Sequence, residues 1–359
     1  MVLLRVYTLV VELNWSGLDD YGMKKVTINS VASYAGVSKK TVSRVLNNEP
    51  NVSDATREKV LKVFKELDYT PNPIARGLAQ NRSFIIGCLY DNPSKSYITR
   101  VQTGALAACH DHNYNLLIHP CELRGQDLIN NIEQLLQTSR LDGIVLTPPF
   151  SDFPELVTFL KSKKIPYARV ASAVLEDDSI SVRSNDEQGA FEITEHLIKL
   201  GHKEIAFIKG HPDHSATEQR FKGYRRALAS NGIEFNERLV EEGNFSYHSG
   251  VDSARTILDL EPRPTAVFAS NDYMAAAVLK LATQMQLKVP DDISIAGFDN
   301  APIARHIWPG LTTIAQPVEE MTHQAVTQLI SHISEPQETP YQVTLEAKLI
   351  TRESTAAIK

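Results

Sequence analysis

Cysteine is scarce. Cys88, Cys109 and Cys121 are the only three in 359 residues, and they fit neither a C-x-x-C nor a zinc-ligand spacing. An odd trio in this arrangement gives no disulfide framework and no structural metal site. The histidines do not supply one either, because His110 and His112 stand two apart, His211 and His214 three apart, and no further ligand is suitably spaced. Long apolar runs are also missing. Met1 to Val11 is apolar, but Arg5 interrupts it, Glu12 ends it and no A-x-A-like cleavage site follows, so neither a signal peptide nor a membrane span is expected. These features set the expected location as the cytoplasm. Nucleophile elbow, phosphate loop and zinc-helix motif are all absent, which argues against an enzyme and implies no cofactor. There is no overall excess of positive charge, the formal net charge being -6.

That acidity is unevenly spread. Between Met23 and Arg82 the cations Lys24, Lys25, Lys39, Lys40, Arg44, Arg57, Lys59, Lys62, Lys65, Arg76 and Arg82 face only Glu49, Asp54, Glu58, Glu66 and Asp68. A local excess of cations attracts a phosphate backbone and releases its counterions. Within this stretch Thr27 suits an N-cap, Ile28, Val31, Ala32 and Tyr34 suggest a short amphipathic helix, and Gly36 permits a tight turn. Ser38 then caps a second helix in which Val42, Val45 and Leu46 share one face while Lys40 and Arg44 stand four apart on another. Two short helices about a glycine turn make a helix-turn-helix, whose second helix enters the major groove. Lys39, Lys40 and Arg44 are the expected base readers, and Thr27, Ser38, Thr41, Ser43 and Asn47 carry short donors for phosphate oxygens. A third helix, capped by Ser53, places Val60, Val63, Phe64 and Leu67 at core spacing. Residues 23–70 are therefore expected to form the DNA-binding domain, with 1–22 a disordered segment or an upstream extension.

Together, Val26-Thr27-Ile28, Val31-Ala32, Ala35-Gly36-Val37-Ser38, Thr41 through Asn47, and Tyr69-x-Pro71-Asn72-x-x-Ala75-Arg76-x-Leu78 resemble the headpiece and hinge of the lactose repressor (LacI) family. The hinge, 71–82, also reads as a short helix on its own residues: Asn72 can cap it and Pro73 suits its first position, while Gly77 weakens it by about 1 kcal/mol. The resemblance implies that paired hinge helices of a homodimer fold on a palindromic operator, with Ala75 and Leu78 against the minor groove and Leu78 levered into a central base step. The last dozen residues lack sustained apolar heptads, so a dimer rather than a tetramer is expected.

From Ser83 onward, apolar runs alternate with amphipathic helical stretches, the pattern of repeated βαβ units. The runs Phe84–Tyr90, Tyr114–Ile118, Gly143–Leu146 and Pro166–Val170 are matched by a second set, Glu204–Lys209, Leu239–Gly243, Thr265–Ala269 and Ile293–Gly297, which predicts two parallel-sheet lobes. The resemblance implies a two-lobed, periplasmic-binding-protein-like α/β core over 83–359, made of two doubly wound sheets behind an all-α headpiece. It also implies three crossings, with 83–182 and 315–340 in the first lobe and 183–314 and 341–357 in the second.

Ligands of open α/β sheets bind beyond the carboxyl ends of strands. The residues that follow these runs are Asp91, Ser94 and Tyr97, Asn271 and Asp272, Phe298 and Asp299, and Gln316. Planar polar groups pair with neighbouring hydroxyls while a ring covers an apolar C–H face, so a carbohydrate effector fits. By resemblance, Arg220 and Asp299 head the effector contacts, with Phe245, Asn271 and Gln316 beside them. Arg169 ends an otherwise buried strand, and two readings stay open for it: a ligand contact, which would suit a sugar acid, or a salt bridge across the lobes. Two rival functions are weaker. A glycosidase using Asp272 and Asp299 leaves the headpiece unexplained, and a transport binding protein leaves the basic end without a purpose.

Overall fold

The computed structural model describes residues 26–46, 51–69, 82–125, 127–174, 178–336, 339 and 341–358. Residues 1–22, most of the hinge, and Asn47, Ala75 and Leu78 lie outside the described residues. The chain divides into two units between Asn81 and Arg82.

The first unit holds three helices, α1 (Ile28–Ala35), α2 (Lys39–Leu46) and α3 (Asp54–Glu66). Thr27 caps α1 in a reciprocal pair with Ser30, and Gly36 ends it at φ 59, a left-handed conformation that glycine adopts without a Cβ penalty. The small core is rich in valine: Val31, Ala32 and Ala35 of α1 meet Val42 and Val45 of α2 and Val60 and Val63 of α3. Tyr34, expected on the apolar face, is instead 72% exposed. The reason is its spacing, since Ile28, Val31, Ala32 and Ala35 follow the i, i+3, i+4, i+7 stripe and Tyr34 falls off it.

The second unit is built on two parallel sheets. In the first lobe these strands and helices run β1 (Ile85–Tyr90), α4 (Lys95–Asp111), β2 (Asn115–Pro120), α5 (Leu128–Ser139), β3 (Gly143–Leu146), α6 (Pro154–Ser162), β4 (Tyr167–Val170) and β5 (Ile180–Ser184). The second lobe follows with α7 (Asp186–Lys199), β6 (Ile205–Ile208), α8 (Ser215–Ser230), β7 (Val240–Glu241), α9 (Tyr247–Leu258), β8 (Ala266–Ala269), α10 (Asp272–Gln284), β9 (Ser294–Ala296) and α11 (Ile303–His306). The chain closes with β10 (Thr313–Ala315), α12 (Val318–Ser334), β11 (Gln342–Leu345) and β12 (Lys348–Ile350).

The first sheet has the order β11-β5-β4-β3-β1-β2 and the second β7-β6-β8-β9, all neighbours parallel. Alternation along each strand feeds two cores. In the first lobe Val145 packs with Ala105, Ala108, Met321 and Leu329 on the α4–α12 face, whereas Ile144 and Leu146 pack with Ile132, Leu156 and Leu160 on the other. In the second, Ala206 and Ile208 face α9 and α10 while Ile205 and Phe207 face α7 and α8. Each sheet reverses its winding once, between β1 and β3 and between β6 and β8, and clefts open at such switch points.

One boundary differs from expectation. The resemblance places 341–357 in the second lobe, but β11 pairs with β5 from Gln342↔Ser181 to Leu345↔Ser184 and so extends the first sheet. Only beyond it does the chain return, with Ala347 in a second-lobe core and β12 antiparallel to β10. The cause is local: Tyr341-Gln342-Val343-Thr344-Leu345 alternates like a strand and meets the open edge of β5 before the chain reaches the second lobe.

Candidate functional site

In the first unit, α2 exposes Lys39 and Lys40 at its N-terminal turn, with Thr41, Ser43 and Arg44 half-buried behind them. Ser38 accepts from Thr41 N at 3.1 Å and Thr27 from Ser30 N at 3.3 Å, so both hydroxyls serve as helix caps. Val42 and Val45 fix the roll of α2 by burial, which turns its cationic face outward.

In the second unit, the ends of β1 and β4 from one lobe and of β6 and β8 from the other face each other across a small cavity of about 30 Å³. That is room for no more than about two water molecules. Its walls include Asn92, Ser94 and Tyr97 on one side and His214, Arg220, Phe245, Asn271, Asp299 and Gln316 on the other.

Arg220, only 3% exposed, organises the second side. Its Nε donates to Asp186 Oδ2 at 2.9 Å, Nη2 lies 2.9 Å from the same oxygen and 3.4 Å from Asp299 Oδ1, and Nη1 donates to the Ser270 carbonyl. The guanidinium rests 3.8 Å from the centre of the Phe298 ring. Gln316 Nε2 donates to Ser184 Oγ at 2.8 Å and Asp186 Oδ1 at 2.9 Å. Asn271 caps α10 through Met274 N and donates from Nδ2 to the Phe245 carbonyl at 2.8 Å, which seats that ring. Gly210 makes the seat possible, since a Cβ there would lie 2.0 Å from Phe245 Cζ. Three wall residues with side chains sit in the left-handed region, Ala171 at φ 55, Phe245 at φ 64 and Asp299 at φ 103. Strain of this kind collects where a structure holds groups for a ligand.

The electrostatics follow from burial. Desolvation pushes the Asp299 carboxyl up to about 6, against the lowering pull of Arg220 and Arg100. Burial, with His211 adding its charge, holds His214 down at about 3, so its ring is neutral. Tyr97 is raised above the usual phenol range, chiefly by burial. Four buried atoms at this site have no hydrogen-bond partner: Tyr97 Oη, Asp299 Oδ1, Gln316 Oε1 and Ser270 Oγ.

Several expected contacts lie elsewhere. Asp272 is fully buried, accepting from Thr313 Oγ1 and Ala301 N, both at 2.6 Å; it locks β10 and the 299–301 turn onto α10 and does not reach the cavity. Asp91 accepts from Leu123 N at 2.9 Å, and its neighbour Asn92 takes the wall position. Phe298 lies beneath Arg220 rather than in the wall. Arg169 donates to the Ser151 carbonyl and meets Asp152 at 3.1 Å, so its partner is a carboxylate of the same lobe, not one across the cleft. Asp186, His214 and Arg100 were missed. Asp186 follows β5, whose mixed polar and apolar residues give no clear strand signal, and Arg100 spans the lobes by donating to the carbonyls of Asp299 and Gln316. At the outer rim Arg124 grips Asp213 across the lobes with bonds of 2.8 and 3.0 Å.

Comparison with known proteins decides the family. Residues 27–72 match the model for bacterial regulatory proteins of the lacI family, and 194–355 match the periplasmic binding protein-like domain. The repressor PurR of Vibrio campbellii is 33% identical over 332 residues, 91% of this chain and 97% of its own length. The chain belongs to the LacI family. This regulator also superposes on solved members: the lac repressor dimer bound to operator and an anti-inducer (TM-score 0.75, 28% identity, covering 93% of this chain and all of that one) and the CelR–cellobiose complex (TM-score 0.71, 31% identity, covering 92% and 99%). As a LacI-family protein the chain is a DNA-binding transcriptional regulator, not an enzyme.

Proposed function

We propose that this regulator represses transcription in the cytoplasm by binding a palindromic operator as a homodimer, and that a neutral sugar held between its lobes sets its DNA affinity. The observation that carries the effector half is the set of unpartnered atoms on the cavity wall. Tyr97 Oη and Gln316 Oε1 are buried without a hydrogen bond, each at a cost of about 1–3 kcal/mol until a partner arrives, and Asp299 Oδ1 beside them has only its 3.4 Å ion pair with Arg220. Two acceptors and a hydroxyl, with the Phe245 ring beside them, suit the neighbouring hydroxyls and C–H face of a sugar. Ser94, Arg220 and Asn271 complete the contacts.

Neutrality follows from charge matching. Arg220 is met by Asp186 and Asp299, and Arg169, the one reason to expect a sugar acid, is met by Asp152. The DNA half rests on Lys39, Lys40 and Arg44 as base readers and Thr41 and Ser43 toward phosphates, the two lysines exposed and the other three half-buried on α2. The similarity to a lac repressor dimer on its operator and to a cellobiose-bound regulator supports both halves.

Tyr97→Phe is the test. It removes a hydroxyl that bonds to nothing in the protein, so folding stability should hold or rise slightly. Sugar affinity, read by calorimetry, should fall by about tenfold. Unchanged affinity would remove Tyr97 from the site.

A further inference from the structure

The interlobe cavity is the inner of two adjoining chambers, and we propose that together they bind a neutral ligand larger than one sugar ring, of disaccharide size. This rests on the reading of the inner chamber as a sugar site. The outer chamber, about 280 Å³ against about 30 Å³ inside, lies between the β4 end and the first turns of α7 and α8. Ala171 and Ala216 belong to the walls of both, so the two chambers meet there, and Asp186 stands at the same junction, bonded to Arg220 and Gln316 of the inner wall.

Free space and free hydrogen-bonding groups point the same way. Among the described residues the Ser215 hydroxyl and the Gln219 amide of the outer wall have no side-chain hydrogen-bond partner, and Arg183 commits only Nε, to Thr344 Oγ1 at 3.0 Å. No aromatic ring lines this chamber, so whatever lies in it is held through hydrogen bonds rather than by stacking. Its charges are matched, Arg226 pairing with Glu187 at 2.7 Å, and across both chambers Arg183, Arg220 and Arg226 face Asp186, Glu187 and Asp299. The fitting occupant is uncharged and hydroxylated at both ends, one ring against Phe245 and a second unit reaching Gln219 and Arg183.

Calorimetry on the full-length protein tests this with cellobiose, maltose, lactose and sucrose against glucose, galactose, fructose and glucose 6-phosphate. The tightest ligand should be a disaccharide, binding about tenfold more strongly than either constituent. Gln219→Ala should weaken it about fivefold and leave monosaccharide binding within about twofold, as one or two lost hydrogen bonds require. Ala173→Trp, which fills the outer chamber from the other wall, should act in the same direction. A monosaccharide or the phosphate binding as tightly as every disaccharide would overturn the proposal, as would disaccharide affinity indifferent to both substitutions; the outer chamber would then be only an access path. If nothing in the panel binds, or if Tyr97→Phe leaves every affinity unchanged, it is the inner-chamber reading that fails.

Discussion

Asp299 and His214 face one cavity, and burial moves both away from their charged forms, with opposite effects on stability. Asp299 is raised in the folded chain from 3.8 to about 6, so the fold binds its proton more tightly than the unfolded chain does. Its contribution is full below the unfolded value and is lost as pH rises through 6, at a cost of about 3 kcal/mol. His214 is lowered from 6.5 to about 3, so its contribution is present above 6.5 and is lost as pH falls toward 3. Between pH 4 and 6 the two trends oppose each other. Asp299→Asn should therefore steepen the loss of stability on acidification in that window and raise the melting temperature at pH 7.5, whereas His214→Asn should flatten the loss. Parallel thermal melts from pH 4 to 8 check both; identical slopes in the two variants would contradict this assignment. Asp299 and Gln316 were legible because strand ends in α/β folds collect ligand contacts, and the family resemblance named them too; Arg220, within α8, was legible through the resemblance alone. Asp272 and Arg169 obeyed the same rule and still fell outside the cavity. Burial at a strand end does not say whether a charge meets a ligand or, as with Asp152 and Thr313, a neighbour in its own lobe.

At the scale of elements, the first-lobe face nearest the site depends on how closely α4 and α12 approach. Gly104 of α4 lies against the backbone of α12, where a Cβ would stand 2.2 Å from the Glu319 carbonyl oxygen. Gly104→Ala should force the helices apart and cost about 1–3 kcal/mol in urea denaturation, as overpacking does. It should also loosen Arg100, four residues earlier, whose bonds to the Asp299 and Gln316 carbonyls join the lobes. An alanine variant as stable as the parent would show that α12 can yield. The long buried strands were legible from their apolar runs, and the headpiece helices from caps and the glycine turn. β5 and β11 were not. Ile180-Ser181-Val182-Arg183-Ser184 carries three polar residues against two apolar ones, and β11 is an edge strand whose exposed positions weaken its signal. The lobe boundary moved because those two strands pair with each other.

The whole molecule joins a cationic three-helix unit to a two-lobed unit whose cleft is closed by Arg100 and by the Arg124–Asp213 pair. A ligand changes DNA affinity only if it favours one arrangement of the lobes over another, and the size of its effect equals its preference between them. The inner chamber is about 30 Å³, so its walls must part to admit a sugar ring beside Phe245, and the coupling of that movement to DNA affinity can be read directly. The deciding measurement is a fluorescence-anisotropy titration of a palindromic duplex, at one fixed salt concentration, with and without the sugar that binds tightest in calorimetry. A saturating sugar should change duplex affinity by about tenfold or more in the parent protein, and Tyr97→Phe should need a correspondingly higher sugar concentration for the same change. Duplex affinity that stays constant while the sugar saturates the cavity would contradict the account.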